Sequence, residues 1–121
     1  MTVIKEGEKT TYEFHFSPVN RPRYKVGQMV HHKLFNYRGV IVDVHDGYRG
    51  TDEWYDETAK TKPPKDKPWY EVLVHDSARV TYVADRNLEL DLTGMPVTHP
   101  LIRVFFSEFD RGAYRVGGPS N

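Results

Sequence analysis

The chain has 121 residues, which is enough for one domain and too few for a second independent core. Its 17 Lys and Arg residues balance 17 Asp and Glu residues, so the formal net charge is zero. This argues against a domain that binds nucleic acid through its overall charge, but not against a local basic patch. Apolar residues make up 38% and aromatic residues 13%, so aromatic side chains must supply much of any core. The sequence contains no cysteine, which excludes disulfides, thiol catalysis and cysteine-bound zinc.

No segment of the sequence is typical of a secreted or membrane protein. Charged residues fall within the first 14 positions, where a signal peptide would have its apolar region. The longest apolar runs, such as residues 40–42, are far too short to span a bilayer. We therefore expect a cytoplasmic chain with no membrane partner.

The first 23 residues are polar and end in a proline-containing stretch. Tyr12, Phe14 and Phe16 alternate with other residues and favour one face of a strand, which Pro18 would end. The pattern predicts either an N-terminal arm or an edge strand over residues 1–23, and it leaves both open.

The strongest β signal covers residues 28–44. Val40, Ile41 and Val42 are β-branched, as expected of a buried strand, and residues 36–39 read as a turn. Two apolar segments joined so closely predict an antiparallel hairpin.

Residues 45–68 interrupt the strand pattern, because they contain several glycine and proline residues and the lysine-rich run 60–67. The segment 52–58 is predicted as a short helix, and the rest as an exposed loop. A second hairpin is predicted over 69–83, with a short last strand over 87–90.

The last part of the chain has helical periodicity. Apolar side chains recur three and four positions apart between residues 99 and 110, Thr98 is a candidate N-cap, and Gly112 follows the end. An amphipathic helix is therefore predicted over about 99–110, within a C-terminal extension 92–121. Together, the strands and this helix predict a mainly β fold. It is a small, partly open β-barrel of the SH3-like type, formed by a rolled antiparallel sheet, and it carries a C-terminal amphipathic helix.

No motif for catalysis stands out. The six histidines lack the i, i+4 spacing of a helical zinc site, and His31 and His32 are adjacent in a predicted strand, so they point to opposite faces. The chain has no G-x-S-x-G nucleophile motif and no phosphate-cradling glycine loop. We expect that the protein is not an enzyme and has no catalytic residue, no metal site and no cofactor.

The distribution of charge is more informative than its total. The segment from Arg21 to Arg38, both ends included, contains five Lys or Arg residues and no Asp or Glu, and Arg49 and the lysine-rich run 60–67 extend this basic segment. Such a patch can meet a phosphate backbone while the whole chain stays neutral. Basic residues on edge strands also keep a sheet from aggregating without any ligand. The residues alone favour neither explanation.

The apolar face of the predicted C-terminal helix also has two interpretations. Leu101, Phe105 and Phe109 either pack on the sheet as core, which is the commoner case, or form a surface that binds another protein or a second copy of the chain. These three are the candidate partner-binding residues, and self-association of the chain stays open.

Several sequence blocks occur in an order typical of one family. The string Y-K-V-G-Q-M-V-H-H-K-L-F-N-Y-R-G-V-I-V-D-V over residues 24–44 resembles the opening of the YccV-like family, also called the hemimethylated-DNA-binding domain, which includes the heat shock protein HspQ. Residues 53–54, 66–74 and 81–88 are similar to the family's E-W, D-Q-P-F-Y-x-V-L and Y-V-A-E-x-N-L blocks. The resemblance predicts a YccV-like β-barrel domain over residues 24–91.

The resemblance implies a small β-barrel-like fold, no catalytic activity and binding of hemimethylated DNA by a regulatory protein. The candidate DNA-binding residues are Lys25, His32, Lys33 and Arg38, which match the family blocks, together with His31 and Arg49 from the basic segment. HspQ-like members of the family also tune cytoplasmic ATP-dependent proteolysis in the stress response. The alternative is therefore a protein-interaction adaptor whose partner is such a protease or its substrates.

Overall fold

The structure is a computed structural model, and it describes residues 21–117. The N-terminal arm or edge strand predicted for residues 1–23 thus lies outside the described residues, apart from its last three positions. No helix between residues 21 and 117 has the length and apolar character needed to cross a membrane.

The described chain is mainly antiparallel β-structure, as the sequence predicted. The strands are β1 (Met29–His32), β2 (Arg38–His45), β3 (Trp69–Val74), β4 (Val80–Ala84), β5 (Leu88–Leu90), β6 (Glu108–Asp110) and β7 (Ala113–Arg115). The helices are α1 (Asp52–Thr58) and α2 (Ile102–Phe105), and a 3₁₀ turn covers Asp85–Asn87.

Strands β1 to β5 form one sheet in the spatial order β4-β3-β2-β1-β5. The two predicted hairpins are β1–β2 and β3–β4, and the predicted last strand, β5, pairs with β1. Gly39 allows β2 to approach β3 closely, because a Cβ atom there would lie 2.4 Å from Val72 Cγ1 and 2.6 Å from the Leu73 carbonyl oxygen. A glycine in a strand often marks such a close approach.

The sheet is strongly curled, as the link between β4 and β5 requires. In a flat sheet these strands would lie four strand spacings apart, or about 19 Å. The chain passes from Ala84 to Leu88 through one 3₁₀ turn, whose rise of about 2 Å per residue spans about 8 Å. A hydrogen bond of 2.6 Å between the Tyr37 hydroxyl and Thr81 Oγ1 also joins the start of β2 to β4 across the curl. Within residues 21–117 the two edges do not pair, so the sheet is open and no closed barrel forms.

Apolar side chains are buried on both faces of this sheet. The cluster inside the curl consists of Tyr24, Val30, Ile41, Tyr70, Val72, Val83 and Leu88. The cluster on the other face joins Met29, Val40, Val42 and Leu73 to Val97, Phe106 and Tyr114. Successive residues of a strand face opposite sides, so burial of both faces explains the unbroken apolar run at residues 40–42. The segment after β5 therefore contributes to the core.

The predicted C-terminal helix over 99–110 is wrong in its extent. Only Ile102–Phe105 is helical, and Glu108–Asp110 is strand β6, which pairs with β7. Arg111 and Gly112 have φ angles of 54° and 76° and form the two-residue turn of this hairpin. Consecutive positive φ angles match the twist of paired strands, so the glycine expected to end a helix serves a hairpin turn instead.

Candidate nucleic-acid interface

A groove of about 440 Å³ lies beside β4, an edge strand of the sheet. Its walls are the β1–β2 loop, β4 itself, and α1 with the loop that follows it. The lining residues are His32, Leu34, Phe35 and Tyr37 from the first wall, Val80–Ala84 from β4, and Trp54, residues 58–61 and Pro63 from the third, with Trp69, Arg79 and Asn87. We call this cavity the β4 groove.

His32 is the buried polar residue of the β4 groove, with 4% exposure. Its Nδ1 atom accepts the backbone N–H groups of Leu34 and Phe35 at 3.1 and 3.0 Å. Burial and, secondarily, the neighbouring His31 lower the pKa of His32, so the neutral ring carries its proton on Nε2. Within the described chain this Nε2–H group has no hydrogen-bond acceptor. A buried donor without a partner is unfavourable, so a ligand that supplies an acceptor here gains affinity.

Two groups of aromatic rings line the groove. The ring centroids of Trp54, Trp69 and Tyr82 lie within 6.2 Å of one another. Phe35, from the β1–β2 loop, is 72% exposed, and its ring stacks on His32 at a centroid distance of 4.7 Å. Exposed aromatic faces bind nucleic-acid bases by stacking, because every base has a flat π-face.

The formal charge in the β4 groove is positive. Lys60 and Arg79 line it, and the described lining contains no Asp or Glu. Neither cation is paired with a carboxylate of residues 21–117, and the Arg79 guanidinium lies 6.0 Å from the centre of the Tyr37 ring. Lys33 is exposed on the adjoining β1–β2 loop. A cleft lined by charges of one sign attracts ligands of the opposite sign.

The structure brings one of the six predicted DNA-binding residues, His32, into the described β4 groove. Lys33 is exposed beside it, and Arg49 is exposed in the segment before α1. Lys25 is exposed at a separate groove beside β7. These cations are accessible to a phosphate backbone, and their role stays a prediction.

His31, another predicted DNA-binding residue, has both ring nitrogens bonded within the protein. Nε2 lies 2.7 Å from Asn36 Oδ1, and Nδ1 lies 2.7 Å from Glu89 Oε2. These hydrogen bonds, to Asn36 and then Glu89, raise the pKa of His31. The ring therefore joins the β1–β2 turn to β5.

Arg38, which also matches the family blocks, is held inside the protein. Its Nε donates to Asp91 Oδ2 at 2.9 Å, and its terminal nitrogens donate to the carbonyl oxygens of Met95 and Pro96. Arg38 thus fixes the segment after β5 against β2. A role in DNA binding would compete with these bonds.

The three predicted partner-binding residues do not share a helix face, because α2 ends at Phe105. Leu101 and Phe105 are exposed, whereas Phe109 packs on Tyr114 with ring centroids 4.8 Å apart. Val104 is also exposed, so one turn of chain presents Leu101, Val104 and Phe105 to solvent. We call these three the α2 patch, and binding of a partner there stays a prediction.

Two residues of the groove escape detection in the sequence. Arg79 lies in the turn of the second hairpin, and Phe35 belongs to an apolar run, so no local signal marks either as functional. Lys60 does carry a signal, because it begins the lysine-rich run of the predicted loop. Only the curl of the sheet places these residues around one cavity.

The fold and the β4 groove together define a class: small antiparallel β-domains with a groove lined by cationic and aromatic side chains. Residues 22–113 match the model of the YccV-like family, whose description is "Hemimethylated DNA-binding protein YccV like". The chain belongs to this family. The match confirms the resemblance seen in the sequence blocks, and it continues past β5 through β6 to the first residue of β7.

Proposed function

We propose that this chain is a non-enzymatic, cytoplasmic DNA-binding regulatory protein and that DNA binds at the β4 groove. Membership of the YccV-like family supports DNA as the ligand. The location rests on one observation: among the described lining residues, Lys60 and Arg79 stand beside aromatic rings without any carboxylate. A polyanion with flat bases is the ligand that this lining fits best.

Different residues would meet different parts of the DNA. Lys33, Lys60 and Arg79 bind backbone phosphates, which positions the duplex without reading its sequence. Phe35 stacks on a base that leaves the duplex, and the buried Nε2–H of His32 donates to an acceptor on that base. A methyl group on adenine adds apolar surface, which the aromatic walls favour over water. We therefore expect tighter binding of a hemimethylated duplex than of an unmethylated one.

Fluorescence anisotropy with matched unmethylated, hemimethylated and fully methylated duplexes at two or more salt concentrations tests this proposal. Each lost phosphate contact lowers the log–log salt slope by about 1, so the double variant Lys60→Gln/Arg79→Gln should lower it by about 2. The control Lys25→Gln removes another exposed cation, which lies away from the groove, and should leave preference among the duplexes unchanged. Weak binding that is equal for all three duplexes and erased by salt would reject DNA recognition. A normal slope in the double variant would place the interface elsewhere.

The α2 patch favours a second candidate function, a protein-interaction adaptor that modulates ATP-dependent proteolysis. Leu101, Val104 and Phe105 are exposed together, and contiguous exposed apolar side chains often mark protein contacts. The rate at which a cytoplasmic ATP-dependent protease degrades a reporter should change when the wild-type chain is added. The Val104→Asp variant should lack this effect and keep its DNA affinity. An unchanged degradation rate with the wild-type chain would dismiss the adaptor role. Sedimentation of the wild-type chain and of Val104→Asp shows whether the patch joins two copies of the chain.

A further inference from the structure

Three metal-ligating side chains meet on the outer face of the sheet, and none of the three lines the β4 groove, although His45 contacts Tyr82, which does. One ligand atom each from Asp43, His45 and Glu71 lies within 4.8 Å of the other two. His45 Nε2 is 3.2 Å from Asp43 Oδ2. This set combines one imidazole nitrogen with two carboxylates, all of which point toward one place.

The pairing of β2 with β3 creates this convergence. A register shift between Ile41 and Asp43 inserts an extra residue into β2, and beyond it Asp43 lies directly opposite Glu71. His45, two positions further along β2, points to the same face as Asp43. Bulges of this kind re-aim side chains and are common beside functional sites.

The two carboxylates lack the counter-ions that usually accompany such a pair. Like charges directly opposite each other on neighbouring strands are destabilising. Among residues 21–117, neither Asp43 nor Glu71 forms an ion pair with Lys or Arg, and the contact between Asp43 and His45 is an ion pair only when the imidazole is protonated. A divalent cation bound between them would convert this repulsion into coordination.

The imidazole of His45 is held in the orientation that a metal ligand needs. Its Nδ1 lies 2.6 Å from the Tyr82 hydroxyl, which also accepts the backbone N–H of Arg49 at 3.0 Å. When Nδ1–H donates to the Tyr82 oxygen, the lone pair of Nε2 is free and faces Asp43. Metal-binding histidines almost always use their second nitrogen in this way, which fixes both tautomer and ring orientation.

We propose that Asp43, His45 and Glu71 form a binding site for a divalent first-row transition-metal ion, with Zn²⁺ the preferred member. The imidazole ligand favours Zn²⁺ over Mg²⁺ and Ca²⁺, which prefer oxygen ligands. Three protein ligands complete all but one position of a tetrahedral zinc ion, and the partial exposure of the site leaves the remaining position open to solvent. This inference does not depend on DNA binding.

Thermal unfolding and calorimetric titration of the untagged full chain with Zn²⁺, Mn²⁺ and Mg²⁺ test the site. Zn²⁺ should raise the Tm of the wild type, because it binds the folded state, and Mg²⁺ should have little effect. The variants His45→Gln and Glu71→Gln should lose the Zn²⁺-dependent rise. Tyr82→Phe, which keeps the ring but removes the hydroxyl, should weaken Zn²⁺ binding by about tenfold.

Two controls separate this site from adventitious binding. His75→Gln removes another surface histidine that lies 3.4 Å from a carboxylate, that of Asp76, and it should keep the full Zn²⁺ response. Without metal, Glu71→Gln should be at least as stable as the wild type, because it removes the cross-strand repulsion. The visible spectrum of bound Co²⁺ should disappear in His45→Gln and persist in His75→Gln. A Zn²⁺ response that is absent from the wild type, or that survives in Glu71→Gln and His45→Gln, would overturn the proposal.

Discussion

Replacing Arg38 with alanine tests whether this residue holds the fold or contacts DNA. The side chains of Arg38 and Asp91 are 19% and 4% exposed, and Nε donates to Asp91 Oδ2 at 2.9 Å. Removing one partner of a buried ion pair leaves the other charge unpaired and costs about 3–5 kcal/mol. Asp91 keeps a hydrogen bond of 2.9 Å from the Thr93 hydroxyl, so we expect a loss of about 3 kcal/mol, at the lower end of this range.

The same substitution should change how stability depends on pH. Burial by itself would raise the pKa of Asp91, but the hydrogen bonds from Arg38 and Thr93 outweigh it, and the net pKa is lowered. A carboxyl group whose pKa is lowered by folding contributes stability above its unfolded pKa of about 3.9 and loses that contribution as the pH falls through the folded pKa. The difference between wild type and Arg38→Ala should therefore be complete at pH 7 and shrink below about pH 4.

Urea unfolding and the DNA anisotropy assay, applied to the same proteins, decide between the two roles. The double variant Arg38→Ala/Asp91→Asn also removes the carboxylate charge that Arg38→Ala leaves unpaired, and it should recover part of the lost stability. Lys33→Ala, an exposed cation on the neighbouring loop, should leave the free energy of unfolding almost unchanged. Suppose instead that Arg38→Ala loses less than about 1 kcal/mol, as for an exposed pair, while its DNA affinity falls as far as that of Lys60→Gln/Arg79→Gln. Arg38 would then be a DNA contact, and the reasoning from burial would be refuted.

Two further predictions concern packing and pH. Gly39→Ala should lower the free energy of unfolding by about 3 kcal/mol through overpacking, since its Cβ would lie 2.4 Å from Val72 Cγ1. The control Gly94→Ala should lower it by only about 1 kcal/mol, because Gly94 has a φ of 70° but open space around it. Equal losses in thermal unfolding would contradict the close approach of β2 and β3. Glu89→Gln should destabilise the protein more at about pH 5.5 than at about pH 8.5. The pKa of His31 is raised in the folded state, so its protonated ring stabilises the fold below the unfolded pKa of about 6.5, and this contribution disappears as the pH rises through the folded pKa. A destabilisation independent of pH, or an NMR titration without an elevated His31 pKa, would refute this assignment.

The hairpins and the family could be predicted from the sequence because their signals are local. The β-branched run at residues 40–42 favours a strand whatever surrounds it, and Gly39 marks a place where two backbones approach. The family blocks lie in the same segments, and the family model matches them.

The C-terminal segment shows where local periodicity is ambiguous. Phe105 and Phe109 have helical spacing, but their side chains are placed by different elements, one at the end of α2 and one in β6. The two-residue turn at Arg111 and Gly112 allows the chain to fold back and bring Tyr114 against Phe109. The β6–β7 hairpin packs Phe109 and Tyr114 on the outer face of the sheet, whereas Leu101 and Phe105, which belong to the apolar face of the predicted helix, stay exposed. The spacing of apolar residues alone does not distinguish these two arrangements.

The sequence by itself determined that this chain is a mainly β protein of the YccV-like family with a basic segment near its first hairpin. Only the tertiary structure decided which basic residues are accessible. Arg38 is paired with Asp91, whereas Lys60 and Arg79, which are 19 positions apart in the sequence, line the same groove. The physical reason is that a charge acts through its neighbours in space, and the curl of the sheet, which is a property of the whole chain, sets those neighbours.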